Sequence, residues 1–345
     1  MTCMVVAEIS ANHLGSFNRA CAIVDAAQTA GAHAVKLQTW TPGTMVLDPA
    51  LVIAEGPWAG QNMAALYDQN ILPWKAQAAV FEYAKAVGIE CFASVFDHDA
   101  LTFLQGLGCP RYKIASFELC DLPLIRAVAA TGKPIILSTG MAWKQDINDA
   151  VDTARRAGAK DITLLKCTSA YPTPPSQANL ATMTSMGRTW DVKVGLSDHT
   201  QGIGVAVAAA AIGATMIEKH VTLARADGGP DAAFSLEPRE LARLVEEVAR
   251  VEGCMGTGLA YGPTADEKAH VELRRSLHFA ADLPAGATVE RQHVCTARPA
   301  RGLAPRLLGD VVGAKTTAAV HRGQPVSYQV IERKPRIAPL QPVAT

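Results

Sequence analysis

The sequence predicts an α/β fold, a (β/α)8 TIM barrel followed by a small β-rich domain, and three observations carry that expectation. Short apolar runs alternate with longer Ala-rich helical stretches over about the first 250 residues, as in βα units around a parallel sheet. Eight such runs can be counted, the number that closes a barrel. "AGAHAVK", "VGIECF", "TGKPII", "AGAKDIT" and "IGATMIEK" each set a glycine between a helix and the next strand, where helix C-caps favour one. An open doubly wound sheet is the rival, but no GxGxxG follows the first run.

Taken in order, the runs share one feature: each ends in polar residues. Strand 4–10, "MVVAEIS", carries Glu8 with Asn12 and His13 beyond it; strand 34–39, "AVKLQT", carries Lys36 and Gln38. A long Pro- and Gly-bearing insertion, 40–75, follows and is read as a lid over a site. Strand 91–95 leads to Ser94 and Asp97, strand 112–116 to Lys113, Ser116 and Glu118, and strand 134–139 to Ser138 and Thr139. Strand 162–167 brings Lys166, Thr168 and Ser169; strand 192–197 brings Ser197, Asp198 and His199; strand 215–220 brings Glu218, Lys219 and His220. A glycine-rich loop, "GGPDAAFSLEP", then holds Asp231. After about residue 255 the alternation gives way to short β-like pieces and turns. The expected organisation is a catalytic barrel at 1–262, a linker at 263–279 and a β-rich domain at 280–345.

Composition narrows the function. Thirty-two basic residues balance 32 acidic ones, so no bulk field favours nucleic acid or an anionic membrane. The eight cysteines show no CxxC pair, which in a chain of 345 residues suggests reduced thiols and a cytoplasmic protein. "MTCMVVAEIS" lacks the marks of a signal peptide, and "GVAVAAAAIGATMI" falls short of the roughly 20 residues that span a bilayer. No membrane or nucleic-acid partner is expected.

In a (β/α)8 barrel the C-terminal strand ends meet at one mouth, where active sites lie. His199 and His220 end neighbouring strands about 5 Å apart, so they are placed to share a divalent ion in an open, Lewis-acidic site; the alternative is that each merely hydrogen-bonds a loop. Lysines inside a barrel are costly unless they face an anion or form a Schiff base. Lys36, Lys113 and Lys166, with hydroxyls from Ser116, Ser138 and Ser197, read together as a cradle for a phosphate plus a carboxylate, although Lys166 is equally an ordinary salt-bridged lysine. Glu8 and Glu118 are acid–base candidates or partners of these lysines, and Asp231 is a mouth residue or a turn aspartate.

At this point the motifs carry a resemblance. "AEISANH", "AVKLQT", "YKIASFE", "GKPIILSTGMA", "LLKCTSAYPTPP", "GLSDHTQGIG", "IEKHVTL" and "GGPDAAFSLEP" resemble the nonulosonate (sialic acid) synthase family over nearly the whole chain, nearest its pseudaminic subgroup. The "RPARGL" module resembles the family's antifreeze-like (SAF) domain. The resemblance implies condensation of phosphoenolpyruvate with an N-acetylated amino sugar, by C3 attack on a metal-polarised aldehyde and C–O cleavage. For the pseudaminic subgroup that sugar is 2,4-diacetamido-2,4,6-trideoxy-altrose; N-acetylneuraminate and legionaminate synthases are the alternatives. It implies Mn²⁺, or Mg²⁺ or Co²⁺, on His199 and His220, and phosphoenolpyruvate contacts at Lys36, Lys113, Ser116, Ser138 and Ser197. Ser169 stands where sialic acid synthases have a phosphate-contacting asparagine, and Tyr171 lies in the same "CTSAYPTPP" motif as a substrate contact. Glu8 or Glu118 would handle the attacking water and Asp231 the sugar hydroxyls, while Arg298 would reach the sugar in a partner's barrel, making a domain-exchanged homodimer. Val221 departs from the subgroup's aromatic after the second histidine, and the insertion matches only loosely, so both bear on sugar choice. A class I aldolase using Lys113 or Lys166, and a catalytically inactive carbohydrate-binding barrel, are the competing readings.

Overall fold

Eight parallel strands close into a barrel in the computed structural model, which describes residues 3–56 and 58–332. They are β1 (Met4–Glu8), β2 (Ala34–Thr39), β3 (Glu90–Val95), β4 (Tyr112–Ile114), β5 (Ile135–Ser138), β6 (Ile162–Cys167), β7 (Lys193–Asp198) and β8 (Met216–His220). Each pairs with the next in sequence, and β8 returns to β1 in register from Met4 opposite Met216 to Glu8 opposite His220. All eight expected runs are therefore strands. Two of them stop earlier than their apolar character suggests, because the chain turns into 3₁₀ turns at Ser10–His13 and Ser116–Glu118. Those turns bend polar residues over the mouth.

Helices sheathe the barrel through the spacing their sequences supply. Lys144–Arg156, for example, buries Ile147, Ala150, Val151 and Ala154, one face of a 3.6-residue period. Asp97 and Asp121 cap their helices by accepting from the Ala100 and Leu124 N–H groups at 2.6 and 3.0 Å. The five glycines expected between helix and strand, Gly31, Gly88, Gly132, Gly158 and Gly213, all take positive φ.

The insertion after β2 has structure of its own. A short helix, Pro42–Met45, precedes a bridge between Val52 and Asn62, and a second helix, Met63–Gln69, follows. Trp40 anchors its start, edge-on to Tyr67 and Phe96 at centroid distances of 5.8 and 5.5 Å.

The chain divides into two compact units, Met1–Gly258 and Leu259–Thr345. In the second, β9 (Ser276–Phe279) and β10 (Val294–Ala297) form an antiparallel pair over a small core that includes Leu277, Phe279, Val289, Val311, Val320 and Val326. Its first strand begins inside the span expected to be linker, because Leu277 and Phe279 supply the inward positions of that core. All eight cysteines are free thiols. Among the described residues no helix is long and apolar enough to cross a membrane.

Candidate active site

Strand register decides which side chains face the barrel interior. Glu8 is paired with Lys36, Ser94 with Lys113, and Ser197 with Glu218, and residues paired this way in a parallel sheet share a face. The result is a buried charge network. Lys113 Nζ donates to both Glu218 oxygens at 2.6 and 2.8 Å, Lys36 pairs with Glu8 and lies 3.7 Å from Glu218, and Ser94 and Ser197 complete it. All four charged groups are 3% exposed or less. Burial would raise the Glu218 carboxyl, but Lys113 and Lys36 outweigh it and hold it at about 2. For Glu8, burial and the nearby Glu218 prevail over Lys36, so its pKa is raised. Two cations held in place by carboxylates are preorganised for a small anion and lose little entropy on binding one.

Beside the network lies a hydroxyl cradle. Ser116 Oγ accepts from the Gly140 N–H at 3.0 Å, and a Cβ on Gly140 would stand 2.2 Å from Ser169 Oγ and 2.7 Å from Ser116 Oγ. Only glycine lets these groups converge. Ser138 Oγ and Glu118 Oε2 are buried with no hydrogen-bond partner, donors and acceptors awaiting a ligand. Burial pushes the Glu118 carboxyl up to about 7, with Asp121 adding to the rise and Lys113 opposing it.

His199 and His220 meet with ring centroids 5.3 Å apart. His199 Nδ1 lies 2.9 Å from the Thr168 carbonyl, which can only accept, so Nδ1 carries the proton and Nε2 is the ring nitrogen left for a ligand. Burial, followed by the charge of His199, holds His220 well below the usual imidazole range, and its Nδ1 is buried without a hydrogen-bond partner, 3.7 Å from Asp231 Oδ2. Asp231 is itself fixed by the Ser10 hydroxyl, and Asn12 ties its loop down through Val221 O and Ser235 Oγ at 2.9 and 2.8 Å. Among the described residues no three His, Cys, Asp or Glu groups form a ready metal cluster. His220, held neutral with an orphaned buried nitrogen, and His199 beside it fit an ion whose other positions are filled by oxygen.

The barrel thus gathers Glu8, Lys36, Lys113, Ser116, Glu118, Ser138, Ser169, Tyr171, Ser197, His199, His220 and Asp231. Arg298 lies in the C-terminal unit, exposed, directly after β10. Lys166 is a correction: it alternates with inward-facing Cys167, and its amine is spent on Cys167 O and Thr168 Oγ1 at 2.8 and 3.1 Å. Lys166 therefore does not join the anion cradle, and a Schiff base through it is not supported. Glu218 stands among the polar strand ends but is given no role from sequence, and Gly140 and Phe234 are not singled out there. Glu218 was legible, since strand alternation from His220 puts it inward, whereas Phe234, 5.1 Å from His220 and 5.4 Å from Tyr171, depends on how the last loop folds back.

Family models match both units. The NeuB family model covers residues 23–260 and the SAF domain model residues 274–332. This chain belongs to the NeuB family. It is 39% identical to the pseudaminic acid synthase of Helicobacter pylori over 95% of this chain and 98% of that protein. An N,N'-diacetyllegionaminic acid synthase from Legionella pneumophila is 31% identical, covering 96% of this chain and 95% of its own length. The crystal structure of an N-acetylneuraminic acid synthetase from Leptospira borgpetersenii, in complex with citrate, superposes with a TM-score of 0.71 at 32% identity, over 79% of this chain and 91% of that one. The chain is an enzyme, a NeuB-type TIM barrel with a C-terminal SAF domain.

Proposed function

We propose that this enzyme condenses phosphoenolpyruvate with an N-acetylated amino sugar to give a nonulosonic acid and phosphate, the sugar being 2,4-diacetamido-2,4,6-trideoxy-altrose and the product pseudaminic acid. The observation that carries this reading is the convergence, at one mouth, of two buried lysines, a hydroxyl cradle opened by Gly140 and a histidine pair. Relatives named pseudaminic acid synthases, at 39% and 35% identity, favour that sugar over the one implied by the legionaminic enzymes.

The atoms balance as follows. The C2–C3 π pair of phosphoenolpyruvate forms a bond to the sugar's aldehyde carbon, whose oxygen takes a proton. Water adds to the cationic C2 and gives up a proton, and phosphate then departs with cleavage of its C–O bond as the new C2 hydroxyl passes its remaining proton to the departing phosphate, leaving a ketone. Lys36 and Lys113 hold the phosphate and carboxylate, with Ser116, Ser138, Ser169 and Ser197 filling the remaining oxygens. Glu118, with Glu8 as the alternative, takes the proton of the water, and Asp231 orients sugar hydroxyls from its tether on Ser10. His199 and His220 would hold a divalent ion, Mn²⁺ or else Mg²⁺ or Co²⁺, which supplies Lewis acidity at a carbonyl oxygen when bound. The test is a product assay by mass spectrometry with ¹⁸O in the bridging position of phosphoenolpyruvate. The label should leave with phosphate and activity should vanish on chelation and return with Mn²⁺. Retention of ¹⁸O in the sugar acid would exclude C–O cleavage.

The SAF domain enters the same proposal as a part supplied in trans. The mouth's rim exposes Phe117, Met141 and Trp143 after β4 and β5, an apolar edge suited to cover by another body. In a domain-exchanged homodimer, Arg298 of one subunit completes the sugar site of the other. Mixing the inactive variants His220→Ala and Arg298→Ala under subunit exchange should then restore activity, since each mixed dimer holds one intact site. No recovery, with exchange confirmed by mass, places the arginine outside the partner's site.

A further inference from the structure

Trp58 has no part in the chemistry above, yet the insertion delivers it to the same mouth. Leu51 and Ile53 pair with Met63, Gln61 and Gly60, and Trp58 sits at the tip of this ribbon, with Gln61 N–H returning to its carbonyl at 3.1 Å. Its ring lies 5.4 Å from that of Tyr171, which in turn lies 4.4 Å from His199 and 5.4 Å from Phe234. Within this aromatic wall the indole nitrogen of Trp58 is buried and has no hydrogen-bond partner. An indole nitrogen only donates, and a buried donor left unpaired costs free energy unless something brings it an acceptor. The missing group must therefore present an acceptor oxygen while its surroundings touch ring faces.

An acetamido substituent meets both demands: its carbonyl oxygen accepts from the N–H and its methyl packs on the rings. A hydroxyl meets the first demand only, and a protonated amine meets neither. We propose that Trp58, against Tyr171, forms the subsite that binds an acetamido group of the sugar and selects for it. The inference rests on the reading that the second substrate is an N-acetylated amino sugar, and goes beyond it by naming the residue that distinguishes an acetamido group from a free amine.

Trp58→Phe keeps the ring and deletes the donor. With 2,4-diacetamido-2,4,6-trideoxy-altrose, the KM for sugar should rise roughly three- to tenfold while that for phosphoenolpyruvate stays put. The wild-type preference for this sugar over its two mono-acetylated analogues should shrink at one of the two positions. An unchanged KM for sugar, or an equal rise for both substrates, overturns the subsite. In ¹⁵N-tryptophan spectra of the wild type, the indole signal missing from Trp58→Phe should move on addition of the diacetamido sugar; a stationary signal also overturns it. Should wild-type enzyme turn over no acetamido sugar with phosphoenolpyruvate, the functional reading falls, and the subsite with it.

Discussion

Lys113→Ala should lower kcat/KM for phosphoenolpyruvate by roughly ten- to hundred-fold, the value of about 1.5–3 kcal/mol for one lost charge-assisted contact. The KM for the sugar should change far less. The same substitution strands Glu218, whose two oxygens both bond the lysine in a site 3% exposed. Breaking a buried pair on one side costs about 3–5 kcal/mol, so the melting temperature should also fall, softened by Lys36 at 3.7 Å. The two effects separate in the double variant Lys113→Ala/Glu218→Gln, which removes the stranded charge. Stability should recover while the KM for phosphoenolpyruvate stays high. If affinity returned along with stability, Lys113 would be a structural ion-pair partner and the anion would bind elsewhere. Isotope-labelled phosphoenolpyruvate binding, measured directly, checks the assignment without turnover.

Glu118→Gln should reduce kcat by roughly 10²–10⁴-fold, the usual range for loss of a positioned general base. With its carboxyl pushed up to about 7, Glu118 is protonated below that pH and ionised above it. Wild-type activity should accordingly climb through about pH 7, and the residual activity of Glu118→Gln should lose that limb. The stability consequence has the opposite look. A carboxyl raised in the folded state supports folding fully at pH below the ordinary carboxylate range and loses that contribution as pH rises through about 7. Glutamine escapes this loss, so the variant should compare better with wild type in thermal stability at pH 8 than at pH 5. A pH–rate profile left unchanged by the substitution would move the base role to Glu8.

Much of the fold was legible because barrel strands and their helices announce themselves locally. The runs at 34–39 and 162–167 match β2 and β6 residue for residue, since an apolar run bounded by turn residues has little choice but to pair. Strand ends were harder: Ser10 and Ser116 read as the tails of strands, yet both belong to turns that carry the chain sideways over the mouth. Lys166 illustrates the main limit. A lysine at a strand's polar end looks the same in sequence whether it points inward, as Lys113 does, or outward, and only the register with Ser197 through Cys167 decides.

By itself, the sequence determined the count of eight strands, the polar character of their C-terminal ends, the histidine pair at the ends of β7 and β8, and the lysines that suit an anion site. Those features follow from period, composition and position along one strand, all of them local. Tertiary structure decided the rest: that Glu218 clamps Lys113, that Gly140 leaves room for Ser116 and Ser169 to meet, and that Phe234 and Trp58 wall the mouth. These depend on atoms brought together from distant parts of the chain, with Lys113 and Glu218 separated by 105 residues. No local pattern encodes such meetings, because closure of the barrel sets them.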